Sequence, residues 1–274
     1  MKLGIASTLP HTSPEEWAKQ HLSWGLKAVV FPCHYQEDIH KIDAYKEACQ
    51  AYGLQIAEVG CWCNPLAPDP AERKANLSRC IHQLELADYV QADCCVNISG
   101  AVGPIWDGAY PENLTKQTYE KVVVTTQFIV DAVSPKFTCY SLEPSAWMFP
   151  NSPENYLQIV RDVDRSGFGV HMDMINMISS PEKYCDNIAF TQQAFALLGP
   201  YIKSCHIKDV LLTNRLTMQL QEMPCGEGGF DLANYIREID ALTPDMTVII
   251  EHLESVANYQ KAVSYIKNLN VQKV

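Results

Sequence analysis

The sequence is poor in charge and has no excess of positive charge. Only 19% of its 274 residues are charged, against about a quarter in ordinary globular chains. With 21 Lys and Arg against 32 Asp and Glu, the formal net charge is −11. A phosphate backbone repels such a surface, so nucleic acid is excluded as a partner. No window approaches the roughly 18 consecutive apolar residues of a transmembrane helix, so no membrane partner is expected. The opening stretch MKLGIASTLPHT has too short an apolar run for a signal peptide, and a cytoplasmic protein is expected. Low-complexity segments and linkers are missing, so residues 1–274 are expected to form a single domain. The C-x-x-C spacing of zinc and redox sites is missing as well. The 11 cysteines are scattered, with CWC (61–63) and CC (94–95) as the only close pairs. Most lie in apolar runs, where reduced thiols serve as small hydrophobes.

Alternation of apolar runs with amphipathic stretches is what the chain does have. Strands are expected at 2–6, 27–32, 54–59, 92–98, 136–142, 167–172, 202–207 and 246–251. Ser13-Pro14-Glu15-Glu16, Asp69-Pro70-Ala71-Glu72, Ser152-Pro153-Glu154 and Ser180-Pro181-Glu182 open helices between them, each a capping residue followed by proline in the first turn. Strand–helix alternation implies a parallel sheet, and eight units imply an α/β fold of the (β/α)8, or TIM, barrel type. An open doubly wound sheet is the alternative, but no G-x-G-x-x-G follows the first strand. Residues 99–115 and 211–229 are long for loops after strands, and such loops tend to carry function.

Four of the expected strands close on acid or imidazole: SLE with Glu143, GVHMD with Asp173, SCHIKD with His206 and TVIIEH with Glu251. In a barrel these ends converge on one face. Three carboxylates without a cation would repel one another until one took a proton. One divalent cation resolves the conflict, with the imidazole as a fourth ligand. Oxygen donors with one nitrogen suit manganese, taken first, and equally magnesium, cobalt or zinc.

Residues 136–256 resemble the xylose-isomerase-like barrels, a group of sugar epimerases, isomerases and related metal enzymes. The motifs are SLEP (141–144), GVHMD (169–173), CHIKDV (205–210), PCGEGGFD (224–231) and VIIEH (248–252). The resemblance implies that Glu143, Asp173, His206 and Glu251 hold a single metal. It implies that Glu143 and Glu251 are also catalytic, moving a proton next to a ketone through an enediolate. A small-molecule sugar or keto sugar is the implied substrate, and a homodimer or homotetramer the implied assembly. Two departures stand out. The epimerases have histidine where this chain has Asn176, and arginine nearer the strand-seven histidine than Arg215. Both point away from a free ketose. The alternative activity is a lyase or dehydratase acting on a 3-keto sugar, 3-keto-glycoside or inosose with the same site. A non-catalytic sugar-binding barrel is the remaining reading. The three-zinc nucleases of the same superfamily need histidines that EVGCWCN, NISG and MDMIN lack.

Further residues are candidates for substrate contact. His171 and Lys208 each lie two residues from an expected ligand, hence on the same side of their strands. Trp62, Trp106 and Trp147 follow strands three, four and five and offer aromatic walls for a sugar. Asp209 is expected to orient His206 or to cap a helix. His252 is expected to point away from the site, and Gly226, Gly228 and Gly229 to allow positive φ in a tight loop.

Overall fold

The computed structural model describes residues 1–7 and 9–271. Its strands are β1 (Lys2–Ile5), β2 (Ala28–Val30), β3 (Gln55–Gly60), β4 (Cys94–Asn97), β5 (Tyr140–Leu142), β6 (Phe168–Met172), β7 (Ile202–Ile207), β8 (Asp209–Thr213), β9 (Gln219–Met223) and β10 (Thr247–Ile250). The helices are α1 (Pro14–Ser23), α2 (Ile39–Tyr52), α3 (Pro70–Val90), α4 (Lys116–Val133), α5 (Pro153–Val163), α6 (Pro181–Cys185), α7 (Asn187–Leu198), α8 (Leu232–Leu242) and α9 (Val256–Val271).

Eight of these strands form one parallel sheet in the order β1-β10-β7-β6-β5-β4-β3-β2. A backbone hydrogen bond from Lys27 to the Leu3 carbonyl, 2.9 Å, draws the free edges of β1 and β2 together. The result is a nearly closed barrel, a single (β/α)8 domain as the strand–helix alternation predicts. All eight expected strands are present. The helix starts follow their capping signals: Ser13, Asp69, Ser152 and Ser180 each accept a backbone N–H from the third residue on, with proline between. Each such cap contributes about 1 kcal/mol.

Packing fixes how far each strand end reaches. The Tyr156 hydroxyl from α5 meets backbone groups of Leu142 and His171, joining the ends of β5 and β6. The Tyr235 hydroxyl from α8 lies 3.1 and 3.0 Å from the carbonyls of Met172 and His206. The β6–β7 register shifts between Val170 and His171, so His171 sits opposite Ser204. Residues 211–229 are not a plain loop. Asp209–Thr213 and Gln219–Met223 pair as an antiparallel hairpin outside the barrel. The polar Gln219 and Gln221 conceal this strand in the sequence, because its outer face has no core to bury against, and Glu222 on the other face turns toward the site. Arg215 is exposed at the hairpin tip. No helix among the described residues is long and apolar enough to cross a membrane.

Candidate metal centre

Inward-facing positions at the C-terminal ends of β5, β6, β7 and β10 bring Glu143, Asp173, His206 and Glu251 together. One donor atom from each lies within 4.8 Å of all the others, and all four residues are buried. His206 Nδ1 stands 2.9 Å from Glu143 Oε1 and 2.8 Å from Glu251 Oε2. One ring nitrogen carries at most one proton, so it cannot satisfy both carboxylates. Its other nitrogen, Nε2, is 3.1 Å from Glu58 Oε2. Lys208 reaches in from just past β7, 2.9 Å from Asp173 Oδ2 and 2.5 Å from Glu251 Oε1. Asp173 Oδ1 accepts the backbone N–H groups of Ile175 and Asn176.

Four buried carboxylates (Glu58, Glu143, Asp173 and Glu251) thus face one ammonium and one imidazole. Burial, reinforced by the charge of Glu251, pushes the Glu143 carboxyl up to about 7. Burial likewise raises Asp173 despite the pull of Lys208. Burial alone would neutralise His206, but Glu251 and Glu58 outweigh it and hold the ring protonated well above its usual range. The same balance holds Lys208 charged against its burial. Glu251 is also disfavoured as an anion by burial, yet His206 and Lys208 depress it well below the ordinary glutamate value. A donor set of three carboxylates and one imidazole with surplus negative charge and a contested Nδ1 fits a divalent cation.

A cavity of about 760 Å³ opens beside the cluster, and Glu143 is the one of the four that lines it. Trp62, Trp106 and Trp147 line one wall, and Met218 and Leu220 of the β8–β9 hairpin line another. The Trp147 indole N–H donates to the Asp107 carbonyl, 2.8 Å, tying that ring to the 99–115 loop. Asn176 also lines the cavity. His171 does not reach it. Fully buried, its ring stands edge-on beneath His206 at 4.1 Å between centroids, with Nδ1 2.7 Å from Ser204 Oγ.

Four further residues, His252, Asp209, Gly228 and Gly229, depart from what the sequence suggests. His252 does not point away: its φ of 56° breaks the strand's alternation, and its ring contacts Glu222 at 3.1 Å and Glu251 at 3.4 Å. Asp209 neither orients His206 nor caps a helix. It accepts the N–H groups of Val210, Gly226, Gly228 and Phe230, folding the PCGEGGFD loop around one carboxylate. Of the loop glycines only Gly226 has positive φ. Gly228 is needed for close approach, since a Cβ there would stand 2.3 Å from Asp209 Oδ1. Glu58 and Glu222 escape the sequence reading altogether. Glu58 leaves a trace, an acid inside the apolar run LQIAEV, where only a partner across the barrel makes it tolerable.

Comparison with known proteins agrees with this architecture. The family model described as xylose isomerase-like TIM barrel matches residues 19–269. No curated protein matches the sequence. Among solved structures, a probable 3-DHS dehydratase from Bacillus anthracis superposes with a TM-score of 0.73 at 15% identity, covering 98% of this chain and 99% of its own. A 3-keto-D-glucoside 4-epimerase from E. coli gives 0.72 at 15% identity, with the same two coverages of 98% and 99%. A xylose isomerase-like barrel from Mycobacterium smegmatis, in complex with magnesium, gives 0.69 at 16% identity over 95% of this chain and 90% of that one. At such identities the likeness establishes the fold, while the sequence model spans nearly the whole chain: the protein belongs to the xylose isomerase-like TIM barrel family.

Proposed function

We propose that the protein is a divalent-metal-dependent epimerase or isomerase that moves a proton next to the ketone of a sugar. The convergence of Glu143, Asp173, His206 and Glu251 on one point, with Glu143 lining the cavity, carries this reading. A bound divalent ion would act as a Lewis acid on the substrate carbonyl. Glu143, Asp173, His206 and Glu251 would hold it, with manganese or magnesium suiting the oxygen-rich set. The two glutamates stand three strands apart around the ring. One removes the proton beside the carbonyl and the other returns it, on the opposite face for epimerisation or at the neighbouring carbon for isomerisation. Glu58 keeps a proton on His206 Nε2, which turns Nδ1 toward the carboxylates.

The cavity favours a substrate larger than a free ketose. It is walled by three tryptophans and hairpin apolar side chains, and Asn176 brings a neutral amide where a titrating group would shuttle protons. A 3-keto-glycoside, with its second group against the tryptophans, suits these walls better than a monosaccharide. The same enediolate could expel that group, which makes a lyase the second reading. Incubating the metal-loaded protein with ketoses and 3-keto-glycosides in deuterated water separates the cases. Deuterium at the carbon beside the ketone without loss of the second group supports the epimerase, and release of that group supports the lyase. No exchange in any substrate would refute proton abstraction.

Two predictions arise from the charge arrangement. Metal must displace the protons that Glu143 and His206 hold in the metal-free protein, and the Glu143 carboxyl stands at about 7. These groups bind protons more tightly without metal, so affinity falls as the pH drops through about 7, where Glu143 takes its proton, and keeps rising above that pH for as long as His206 still has a proton to displace. Calorimetric titrations should show weakening of about tenfold per pH unit for each displaced proton. A flat profile from pH 5 to 8 would contradict the assignment. Glu58→Gln removes the charge facing Nε2 and should weaken metal binding by about 10–100-fold while the barrel remains folded. Unchanged affinity would leave Glu58 with a packing role only.

A further inference from the structure

We propose that Cys61, Cys63 and Cys80 form a second cation site, separate from the acidic centre, that takes one thiophilic d10 ion such as Zn2+, Cd2+ or Cu+. The spacing of CWC gives no sign of it, because the third sulfur comes from α3. The three Sγ atoms lie 3.5 Å (61–63), 3.6 Å (61–80) and 3.5 Å (63–80) apart, and all three residues are buried and unoxidised. A triangle with these sides has its centre about 2.0 Å from each sulfur. With a Zn–S bond of about 2.3 Å, an ion would sit roughly 1 Å out of the sulfur plane, near the apex position of a tetrahedral three-thiolate base.

Three thiols in a core can also touch as plain hydrophobes. The polar groups around this trio separate the two cases. The Asn97 side-chain oxygen accepts the Cys63 backbone N–H at 2.9 Å, which fixes the amide so that its NH2 group faces the sulfurs. That Nδ2 donates to the Tyr140 hydroxyl at 3.0 Å and also stands 3.5 Å from Cys80 Sγ and 3.8 Å from Cys63 Sγ. The Tyr140 hydroxyl lies 3.7 Å from Cys80 Sγ. Arg79 acts on Cys63 through its charge, and its buried Nε has no hydrogen-bond partner. Donors that face the sulfurs and a nearby cation favour an anionic thiolate ligand set over neutral thiols, which accept only weakly. Soft thiolates select d10 ions over the manganese or magnesium suited to the carboxylate centre.

The site would act on the cavity through Trp62. That residue lies between two of the ligands and has a φ of 41°, uncommon for a bulky side chain. An ion bound by both neighbours and by α3 would pin this turn and hold the indole in the cavity wall.

Titrating the reduced full-length protein with cadmium tests the proposal. One equivalent should give an ultraviolet sulfur-to-cadmium charge-transfer band. Cadmium NMR should show a resonance in the sulfur-rich region, besides an oxygen-rich one from the acidic centre. Cys80→Ser should lose the band and the sulfur-rich resonance, whereas Cys185→Ser, at the exposed cysteine, should keep both. A band lost in Cys185→Ser and kept in Cys80→Ser would overturn the site. Should Cys80→Ser fail to fold, the wild type decides alone: no sulfur-rich resonance means no site. Failure of the acidic centre would remove only the oxygen-rich resonance, so the two claims stand or fall separately.

Discussion

Glu251→Gln and Glu143→Gln are each expected to abolish turnover. Each exchange keeps the shape of the side chain but removes a negative charge and a proton acceptor from the donor cluster. A positioned base alone contributes about 10²–10⁴-fold, and a weakened metal adds to that loss. The two variants should differ in metal affinity. Glu251 is the carboxylate held ionised by His206 and Lys208, whereas Glu143 is raised to about 7 and must surrender a proton before it can bind. Glu251→Gln should therefore weaken metal binding more than Glu143→Gln at neutral pH. Turnover within a fewfold of wild type in either variant would remove that glutamate from the mechanism.

The second large effect is on stability. Lys208→Met leaves Asp173 and Glu251 buried without their ammonium, which stands 2.9 and 2.5 Å away in the native arrangement. Breaking a buried ion pair by removing one partner costs about 3–5 kcal/mol. In a domain of this size that corresponds to a Tm lower by on the order of 10 °C. The sign with pH follows from the orphaned acids. Burial already raises Asp173 with Lys208 present, and without it both carboxyls would take protons more readily. The loss should shrink toward pH 5 and be full at pH 8. A divalent ion replaces the missing charge, so saturating manganese should restore much of the Tm in the variant. Differential scanning calorimetry with and without metal checks this, and a variant as stable as wild type without metal at pH 8 would contradict the account.

The contrast between these residues and the ones that escaped the sequence has a physical basis. Glu143, Asp173, His206 and Glu251 are legible because parallel barrel strands are apolar throughout, so acid or imidazole at their ends stands out, and the fold itself aligns those ends. Glu58 meets His206 across 148 positions of sequence, and nothing local marks the pairing. His252 is hidden by one backbone angle, since a positive φ cancels the alternation that would send its ring outward. Glu222 reaches the site on a hairpin whose polar strand has no period that a core would impose. The Asp209 carboxylate is legible as a strand-end acid, but its four backbone donors depend on how the glycine loop closes. The sulfur trio depends on which face α3 turns toward β3.

The most direct test of the central claim is the manganese content of the protein after loading and exhaustive dialysis, measured by elemental analysis on wild type and His206→Ala. Manganese is the discriminating ion because it suits a hard carboxylate set and not a soft thiol trio. The account predicts one manganese per chain in wild type and a substoichiometric amount in the variant. No retained manganese in wild type, or an equal amount in His206→Ala, would contradict the assignment of Glu143, Asp173, His206 and Glu251 as one metal centre.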